Sequence, residues 1–343
     1  MPNRIRMISL VLVLCLGTLG AARAASDKRT LKVMTQNMDA GTDLQWLLLL
    51  PVPQSVDKTY QEITTSDIPG HAALLADDIA SEQPDLVSLQ EVTLWRTGSS
   101  PATAEDVLYD QLDLLLDALR ARHQHYHKVA VVSLTDAALP MSSGLFLRFT
   151  DRNAVLARSD LRQSELELSN VRTHRFQATV NFLGIPIVSG WITAEAKVRG
   201  KSLRFAATHL QSTTGLPQLI PVQIAQTDEL IQALAGSRIP VVLAGDFNSN
   251  AVPNGFDNTD AYAHILQADF TDTWQALHPG DPGMTWPLFF EDALSGTPIV
   301  PFERIDLIFE RGLDTLGVER VGHTTPPFAS DHLGVQATVL LEP

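Results

Sequence analysis

Apolar residues recur along this chain in two different periods, and each period predicts a different kind of element. Residues 31–37 alternate apolar and polar side chains, as a strand with one buried face does. Leucines at helical spacing predict a helix from a cap at Thr103 to about residue 122. By the same criteria, helices are predicted at residues 71–82 and 221–235, and strands at residues 86–89, 128–134, 144–149, 154–157, 175–182, 185–197, 203–209, 240–245, 305–309 and 333–340.

The order of these elements predicts the fold class. Many short strands interrupted by a few helices are typical of stacked sheets with helices outside them, an α/β (α+β) architecture. The strands on either side of residues 183–184 are close enough in sequence to form a hairpin. No repeat or low-complexity linker divides the sequence, so residues 25–343 are predicted to form one domain.

The first 24 residues follow a different pattern. Arg4 and Arg6 precede a short apolar run, and Ala22 and Ala24 are small residues at the positions that define a cleavage site. The apolar run is far shorter than the ~20 residues that a membrane-spanning helix needs. Residues 1–24 are therefore predicted to be a secretory signal peptide, with an uncleaved anchor as the alternative. The expected location is the periplasm or the cell exterior.

Cleavage there would remove Cys15, the only cysteine of the 343-residue chain. The exported protein would then have no disulfide, no thiolate metal ligand and no cysteine nucleophile. Any metal chemistry must consequently use oxygen and imidazole ligands.

Charge is unevenly distributed along the chain. The formal net charge is −14 at pH 7, which disfavours non-specific binding to a polyanion such as duplex DNA. Residues 120–210, however, contain 13 lysines and arginines against 6 acidic residues. This central stretch keeps nucleic-acid binding open, beside the interpretation that the charges are solvated on separate strands.

Polar residues with catalytic potential lie at the ends of the predicted strands. They supply hard oxygen donors suited to Mg²⁺, two imidazoles, and amides able to hold phosphate or water. The sequence has neither a glycine-rich phosphate loop with its lysine nor a Gly-x-Ser-x-Gly turn. Metal-assisted attack of water on a phosphoester therefore fits better than a covalent route. The residues are Asn37, Gln90, Glu91, His209, Asp246, Asn248, Asp306, Asp331 and His332.

Six short motifs contain these residues: Thr35-Gln36-Asn37, Gln90-Glu91, Thr208-His209-Leu210, Gly245-Asp246-Phe247-Asn248, Arg304-Ile305-Asp306-Leu307-Ile308-Phe309 and Ser330-Asp331-His332. In this order they resemble the endonuclease/exonuclease/phosphatase superfamily, which has the deoxyribonuclease-I-like fold. The resemblance implies a four-layer sandwich of two mainly antiparallel β-sheets flanked by helices, and a metal-dependent phosphoric ester hydrolase. The superfamily includes nucleases, phosphoinositide phosphatases and sphingomyelinases, so the resemblance does not choose the substrate.

The resemblance also implies a metal site. Glu91 is the expected main ligand of Mg²⁺, with Asn37 and Asp331 assisting it. Mn²⁺ and Ca²⁺ are the alternative ions. A glutamate at a strand end is otherwise most often a solvated charge.

Catalytic roles are implied in the same way. Asp246 is expected to orient or deprotonate the attacking water, while Asn248 holds the phosphate or that water. His332 is expected to contact phosphoryl oxygens, with Asp306 fixing its tautomer. His209 is expected to make a second phosphate contact or to protonate the leaving oxygen. The structural alternatives are a capped Asp-Phe-Asn turn and a histidine that only packs.

Two weaker predictions concern substrate contacts. Asn153 begins a segment that resembles one near the family's active site, although a role in a turn is equally compatible. Trp286 belongs to an apolar run at residues 285–290 that corresponds to a wall of the family's cleft. This run and residues 46–50 are expected either to contact lipid, a base or a sugar, or to pack into the core.

The function predicted from the sequence is thus an exported Mg²⁺-dependent phosphodiesterase that uses in-line attack of a metal-positioned water. Its substrate is expected to be a small or lipid phosphodiester, and peripheral membrane contact is compatible with that. An extracellular endonuclease acting on DNA or RNA is the first alternative. A non-catalytic binding module is the second, disfavoured because every catalytic motif is complete. The sequence implies no obligate protein partner.

Overall fold

The computed structural model describes residues 29–44, 52–182, 184–288 and 300–341, and two large β-sheets dominate it. The eight-stranded sheet contains β1 (Thr30–Asn37), β2 (Leu86–Gln90), β3 (Leu94–Gly98), β4 (Asp106–Asp110), β5 (Tyr126–Pro140), β6 (Phe146–Arg158), β15 (Asp314–Val321) and β16 (Gly334–Leu340). The six-stranded sheet contains β7 (Leu166–Arg175), β10 (Gly190–Val198), β11 (Lys201–His209), β12 (Val241–Asp246), β13 (Thr271–Asp272) and β14 (Asp306–Arg311). The predicted signal peptide and residues 46–50, 289 and 290 lie outside the described residues.

Both sheets are mixed but mainly antiparallel. In the first sheet β1 and β2 run parallel, and in the second β11 and β12 do. The other strand pairs of the two sheets are antiparallel. The predicted hairpin is present as a separate pair, β8 (Val180–Phe182) with β9 (Ile185–Ile187).

Helices cover the outer faces of the sheets. They are α1 (Gln54–Thr65), α2 (Ile68–Glu82), α3 (Gln111–Ala121), α4 (Ile220–Ala235), α5 (Asp260–Gln267) and α6 (Thr273–Leu277), with short 3-10 turns at Pro101–Thr103 and Pro217–Leu219. In the described part of the chain, none of these helices is both long and apolar enough to span a bilayer.

Alternation along the central strands separates the layers. On β1, Val33 points into the core between the sheets, whereas the next residue, Met34, packs with α2 and α3. On β12, Val242 lies in the core between the sheets, and Val241 packs outward with α4 and α5. Because side chains of a strand point alternately to opposite faces, each central strand is buried on both sides. The predicted four-layer sandwich is confirmed.

The predicted cap at Thr103 is wrong. Helix α3 begins only at Gln111, and the Oδ1 atom of Asp110 accepts hydrogen bonds from the backbone N–H groups of Leu112 (3.0 Å) and Asp113 (3.3 Å). Residues 106–110 are instead taken up by β4, which pairs with β3. Pairing with a neighbouring strand thus shortened the helix that the leucine spacing predicted.

Several strand boundaries also differ from prediction. Residues 144–149 and 154–157 belong to one long strand, β6, because it pairs along its length with β5. The segment at residues 175–182 divides between the end of β7 and β8. Most of β7 was missed because it is an edge strand with largely exposed side chains and has no continuous apolar face.

Candidate active site

The ends of the central strands meet at one edge of both sheets. Asn37 and Gln90 are paired at the end of the parallel strands β1 and β2. His209 and Asp246 are paired at the end of the parallel strands β11 and β12. Strand β14 runs antiparallel to β12 and starts at Asp306, directly opposite Asp246. Strand topology therefore gathers catalytic residues from distant parts of the sequence.

Glycine precedes Asp246 because the strands approach too closely there for a side chain. A Cβ atom at Gly245 would lie 2.1 Å from the carbonyl oxygen of Thr208 on the adjacent strand. This tight contact holds β11 against β12 and so places His209 beside Asp246.

Asp246 is at the centre of the site and is almost completely buried. Its Oδ2 atom accepts a hydrogen bond from Asn37 Nδ2 at 3.0 Å and lies 3.5 Å from His209 Nε2. Its Oδ1 atom accepts one from the backbone N–H of Asn248 at 2.9 Å. Burial and the neighbouring Asp306 raise the pKa of Asp246 to about 6, against the opposing effect of His209 and His332. The carboxylate is thus basic enough to accept a proton near neutral pH.

Asn248 contacts Asp246 through its backbone N–H and His209 through its side chain. Its Nδ2 atom lies 3.0 Å from His209 Nε2 and donates a hydrogen bond to the carbonyl oxygen of Leu210 at 3.1 Å. The Asp-Phe-Asn segment is therefore a turn, and it also places an amide group beside an imidazole.

His332 and Asp306 form a buried carboxylate–imidazole pair. The Nδ1 atom of His332 lies 2.8 Å from Asp306 Oδ2, while its Nε2 atom lies 4.0 Å from Asp246 Oδ2. Burial alone would lower the pKa of His332, but the charges of Asp306, Asp331 and Asp246 outweigh it and raise the pKa well above its usual value. These neighbours therefore favour the imidazolium form, whose Nε2–H can donate to a phosphoryl oxygen.

A group of carboxylates lies next to this pair. Asn37 Nδ2 donates to Glu91 Oε1 at 3.0 Å, and the backbone N–H of Ala40 donates to Glu91 Oε2 at 3.0 Å. Burial raises the pKa of Asp331, and the charge of Glu91 raises it further although His332 opposes this. Burial also raises the pKa of Asp39 well above its usual value, with Asp331 and Glu91 adding to the shift.

Two sets of acidic groups at this edge bear on metal binding. Glu91, Asp331 and Asp39 repel one another electrostatically, and a hard cation among them would remove that repulsion. Among the described residues, Asp246, Asp306 and His332 are the donor group in which one ligand atom from each residue lies within 4.8 Å of the others. The Oδ1 atom of Asn37 accepts the N–H of Asp39 at 3.0 Å, and its Nδ2 atom donates to the carboxylates of Glu91 and Asp246.

Three site residues have left-handed backbone conformations. The φ angles are +60° at Asp39, +50° at Glu91 and +47° at Asn248. Asparagine and aspartate tolerate this region, whereas it is uncommon for glutamate. Such strain is characteristic of functional sites, and here it turns the Glu91 side chain toward Asn37 immediately after β2 ends.

Trp286 lies at the site, whereas Asn153 lies beneath it. The Nε1 atom of Trp286 donates to Asp331 Oδ2 at 3.2 Å, and the indole centroid is 6.2 Å from that of His332. Asn153 is buried and donates from Nδ2 to the carbonyl oxygen of Gly190, a residue of the other sheet, at 3.0 Å. Its amide therefore connects the two sheets under His209.

Sequence reasoning missed three carboxyl groups near the site. Asp39 is only two residues beyond Asn37, but no motif marked it. Burial raises the pKa of Asp151 to about 6, with His209 lowering it and Glu91 raising it, and its buried Oδ1 has no hydrogen-bond partner among the described residues. Glu303 is 3% exposed, and burial together with the charges of Asp257 and Asp246 raises its pKa to about 7. Only Asp39 had a usable signal, its proximity to a motif.

A buried Asp–His pair, a central basic aspartate and adjacent oxygen ligands at the edge of a four-layer sandwich define a metal-dependent phosphoric ester hydrolase of the deoxyribonuclease-I-like fold. The model of the endonuclease/exonuclease/phosphatase family matches residues 34–332. The chain belongs to this family, and the alternative of a non-catalytic binding module is not supported. A comparison with curated proteins finds no match.

Solved structures show the same fold. An endonuclease/exonuclease/phosphatase from Beutenbergia cavernae is 24% identical, with a TM-score of 0.60 over 92% of this chain and 72% of that one. TDP2 of D. rerio, in complex with a single-strand DNA product, is 17% identical, with a TM-score of 0.55 over 91% and 99%. The catalytic domain of human Nocturnin, with a bound sulfate anion, is 17% identical, with a TM-score of 0.54 over 91% and 94%.

Proposed function

We propose that this protein is an exported phosphodiesterase that hydrolyses a small or lipid phosphodiester by in-line attack of water. The observation that carries the proposal is the position of Asp246, buried between two histidines and held by two amides. Such an arrangement supports removal of a proton from water more directly than it supports a covalent intermediate, because within the described residues no serine or cysteine hydrogen-bonds to the side chains of Asp246, His209 or His332.

The proposed metal ligands are Glu91 and Asp331, with Asp39 completing the group and Asn37 positioning Glu91. Mg²⁺ is the proposed ion because the donors are all oxygens, and Mn²⁺ or Ca²⁺ would suit the same donors. A divalent ion, when bound, supplies positive charge that orients water and stabilises phosphoryl oxygens.

The remaining groups carry the proton and the phosphate. Asp246, ionised above about pH 6, accepts the proton of the attacking water, while Asn37 and Asn248 hold its carboxylate in place. The imidazolium of His332 binds a phosphoryl oxygen through Nε2, because its Nδ1 donates to Asp306. His209 is proposed to protonate the leaving oxygen.

The first experiment is hydrolysis of bis(p-nitrophenyl) phosphate by the purified protein in Mg²⁺. We expect turnover that EDTA abolishes and that Asp246→Asn lowers by on the order of 10³-fold, since proton transfer and charge stabilisation are both affected. Glu167→Gln, a substitution at a partly exposed position on β7, is the matched control and should not change the rate. Wild-type activity in Asp246→Asn would overturn the assignment of the base.

Charge pairing supports a small or lipid substrate over nucleic acid. Nine of the 13 basic side chains in residues 120–210 have a carboxylate within 4.0 Å, so most of the positive charge of this stretch is neutralised locally. The nine are Arg120, Arg122, Arg148, Arg152, Arg158, Arg162, Lys197, Arg199 and Arg204.

An endonuclease is the second candidate, favoured by the net positive charge that residues 120–210 still carry. Nicking of supercoiled plasmid in Mg²⁺ distinguishes the two, with EDTA and Asp246→Asn as controls. EDTA-sensitive nicking that is lost in the variant would establish the nuclease. Hydrolysis of the chromogenic diester without nicking would exclude it.

Export is proposed from residues 1–24 alone. Expression of the full chain in a bacterium, followed by fractionation and N-terminal sequencing, tests it. We expect an exported protein that begins at Ala25, and a cytoplasmic protein that retains residue 1 would contradict the proposal.

A further inference from the structure

Glu303 carries a carboxyl group that the proposed mechanism does not use. The residue is 3% exposed. Besides burial, the charges of Asp257, Asp246 and His332 act on its carboxyl group, so the carboxyl lies within electrostatic range of the catalytic residues. Burial next to other carboxylates makes ionisation of Glu303 costly, and a cationic ligand would offset that cost.

An antiparallel bridge places Glu303 beside Trp286. The backbone N–H of Trp286 donates to the carbonyl of Glu303 at 3.1 Å, and the N–H of Glu303 donates back at 3.0 Å. Residues that face each other in this way project their side chains to the same side. The indole, which also touches Asp331 and lies near His332, therefore shares a side of the bridge with the carboxyl group.

Three aromatic rings lead from this point to the surface. The Trp286 and Phe302 centroids are 5.9 Å apart with an interplanar angle of 68°, and the Phe302 and Phe256 centroids are 4.9 Å apart at 51°. Phe256 is 55% exposed. Because the rings meet at steep angles, they form successive walls of a rim and not a flat platform on which a nucleobase would stack.

The adjacent residue, Arg304, does not balance the charge of Glu303. Arg304 Nη1 pairs with Asp272 at 2.6 Å, and both side chains are 2% exposed. Among the charges that act on Glu303, only His332 is cationic, and two carboxylates oppose its effect. A carboxylate beside aromatic faces is the chemistry that recognises an ammonium group, through an ion pair and cation–π contacts.

We infer that Glu303 determines specificity by binding a positively charged ammonium group on the phosphodiester substrate, with Trp286 and Phe302 as the adjoining aromatic walls. This inference rests on the proposed phosphodiesterase function and narrows its substrate to zwitterionic diesters. The overall negative charge of the chain agrees with such a substrate.

The test compares two chromogenic esters that differ only in charge. One is p-nitrophenyl phosphocholine, and the other is 3,3-dimethylbutyl p-nitrophenyl phosphate, in which an uncharged tert-butyl group replaces the trimethylammonium group. At pH 8.5, above the pKa of about 7, wild-type protein in Mg²⁺ should prefer the choline ester at least tenfold in kcat/KM. Glu303→Gln should reduce that ratio about tenfold, whereas a merely structural effect would lower both rates and leave the ratio unchanged.

Glu167→Gln is the control and should leave the ratio as in wild type. A wild-type ratio near one, or an unchanged ratio in Glu303→Gln, would overturn the inference. Calorimetric titration with phosphocholine and with 3,3-dimethylbutyl phosphate separates this result from failure of the proposed function. If neither ester is hydrolysed, the phosphodiesterase proposal fails, while Glu303-dependent preference for phosphocholine would still support the ammonium site and equal binding would refute it.

Discussion

Single side chains of this site act in pairs, and Asp306 with His332 is the clearest pair. One oxygen of Asp306 lies 2.8 Å from His332 Nδ1, and the other is buried with no hydrogen-bond partner in the described part of the protein. The hydrogen bond of this carboxylate is therefore made to the imidazole, while its charge also raises the pKa of Asp246. Burial opposes the charged form of His332, but Asp306, Asp331 and Asp246 raise its pKa well above the usual value.

We predict that Asp306→Asn lowers kcat by about 10²-fold or more, because the phosphate loses a fixed cationic partner. Loss of the carboxylate also lowers the pKa of His332. The imidazolium of His332 should then lose its proton at a lower pH than in the wild type. The basic limb of the kcat/KM profile should therefore move toward neutral pH. Asp314→Asn, an exposed change on β15, is the control, and an unmoved basic limb in Asp306→Asn would contradict this role.

For single side chains, the sequence predicted which residues form the site better than it predicted the contacts between them. Motif spacing found Asp246, His332 and Glu91, because these follow strands whose ends the apolar pattern marks. It did not find Asp151 or Glu303, whose positions depend on which strand packs beside them. It also did not show that Asn37 holds two carboxylates from different sheets, since such a contact exists only after the sheets pack.

Helix α2 contains two adjacent aspartates, Asp77 and Asp78, whose pKa values are shifted in opposite directions. Burial raises the pKa of Asp78 to about 6, with Asp77 and Glu82 adding to the shift and His323 opposing it. A hydrogen bond from Arg122 lowers the pKa of Asp77. The folded state therefore disfavours ionisation of one carboxyl group and favours ionisation of its neighbour.

Opposite effects on stability follow. Asp78 binds its proton more tightly when folded, so its ionisation destabilises the fold as pH rises from about 4 to about 6. Asp78→Asn should then raise the free energy of unfolding at pH 8 by about 1 kcal/mol, after allowance for solvent screening, and have little effect at pH 4. Asp77→Asn should lower it at pH 8 by a few tenths of a kcal/mol, because the lowered pKa stabilises the fold above about pH 4. Urea unfolding at both pH values measures this, and equal signs at pH 8 would refute it.

Asp272 connects the N-terminus of α6 to the residues just before β14, the strand that begins at Asp306. Its Oδ1 accepts the N–H of Trp274 at 2.9 Å, and its Oδ2 accepts Arg304 Nη1 at 2.6 Å and the Tyr262 hydroxyl at 2.8 Å. Arg304 is only two residues before Asp306. The buried pair thus fixes the entry to β14.

Removal of one partner of the buried Asp272–Arg304 ion pair should strongly destabilise the fold. We expect Asp272→Ala to lower the free energy of unfolding by about 3–5 kcal/mol, because Arg304 is left buried and unpaired. Tyr262→Phe, which removes a single hydrogen bond to the same carboxylate, should cost only about 1 kcal/mol. Thermal and urea unfolding give the comparison, and similar losses in the two variants would show that the ion pair is not the main effect.

Strands and helices were predictable from the sequence where both faces are buried or where apolar residues recur at a regular spacing. The central strand β12 has an apolar run because both of its faces are covered. Strand β1 shows the alternation of apolar and polar residues that the sequence predicted, although most of its polar side chains are buried as well. Strand β7 and the short β4 depend on pairing with a neighbour, and their side chains leave no comparable pattern. The cap of α3 was misplaced for the same reason, since the residues before Asp110 pair with β3.

Across the whole molecule, the active site spans the interface between the sheets. Asn37 ends β1 and Glu91 directly follows β2, both strands of the eight-stranded sheet. Asp246 and Asp306 belong to the six-stranded sheet. The hydrogen bond between Asn37 and Asp246 crosses from one sheet to the other. Cation binding at this edge should therefore be coupled to unfolding of the sandwich as a unit.

Mg²⁺ should accordingly raise the melting temperature of the protein. Binding to the folded state adds about 2.7 kcal/mol at 100 times the dissociation constant, which for a chain of this length is a shift of several degrees. Glu91→Gln should remove most of this shift, and in EDTA it should melt no lower than wild type, because one of three mutually repelling carboxylates has lost its charge. Glu167→Gln, far from the cluster on β7, should keep the full Mg²⁺ effect. Differential scanning calorimetry with and without EDTA decides the matter: a Mg²⁺ shift that persists in Glu91→Gln would place the cation elsewhere, because a ligand can stabilise the fold only through the groups that bind it.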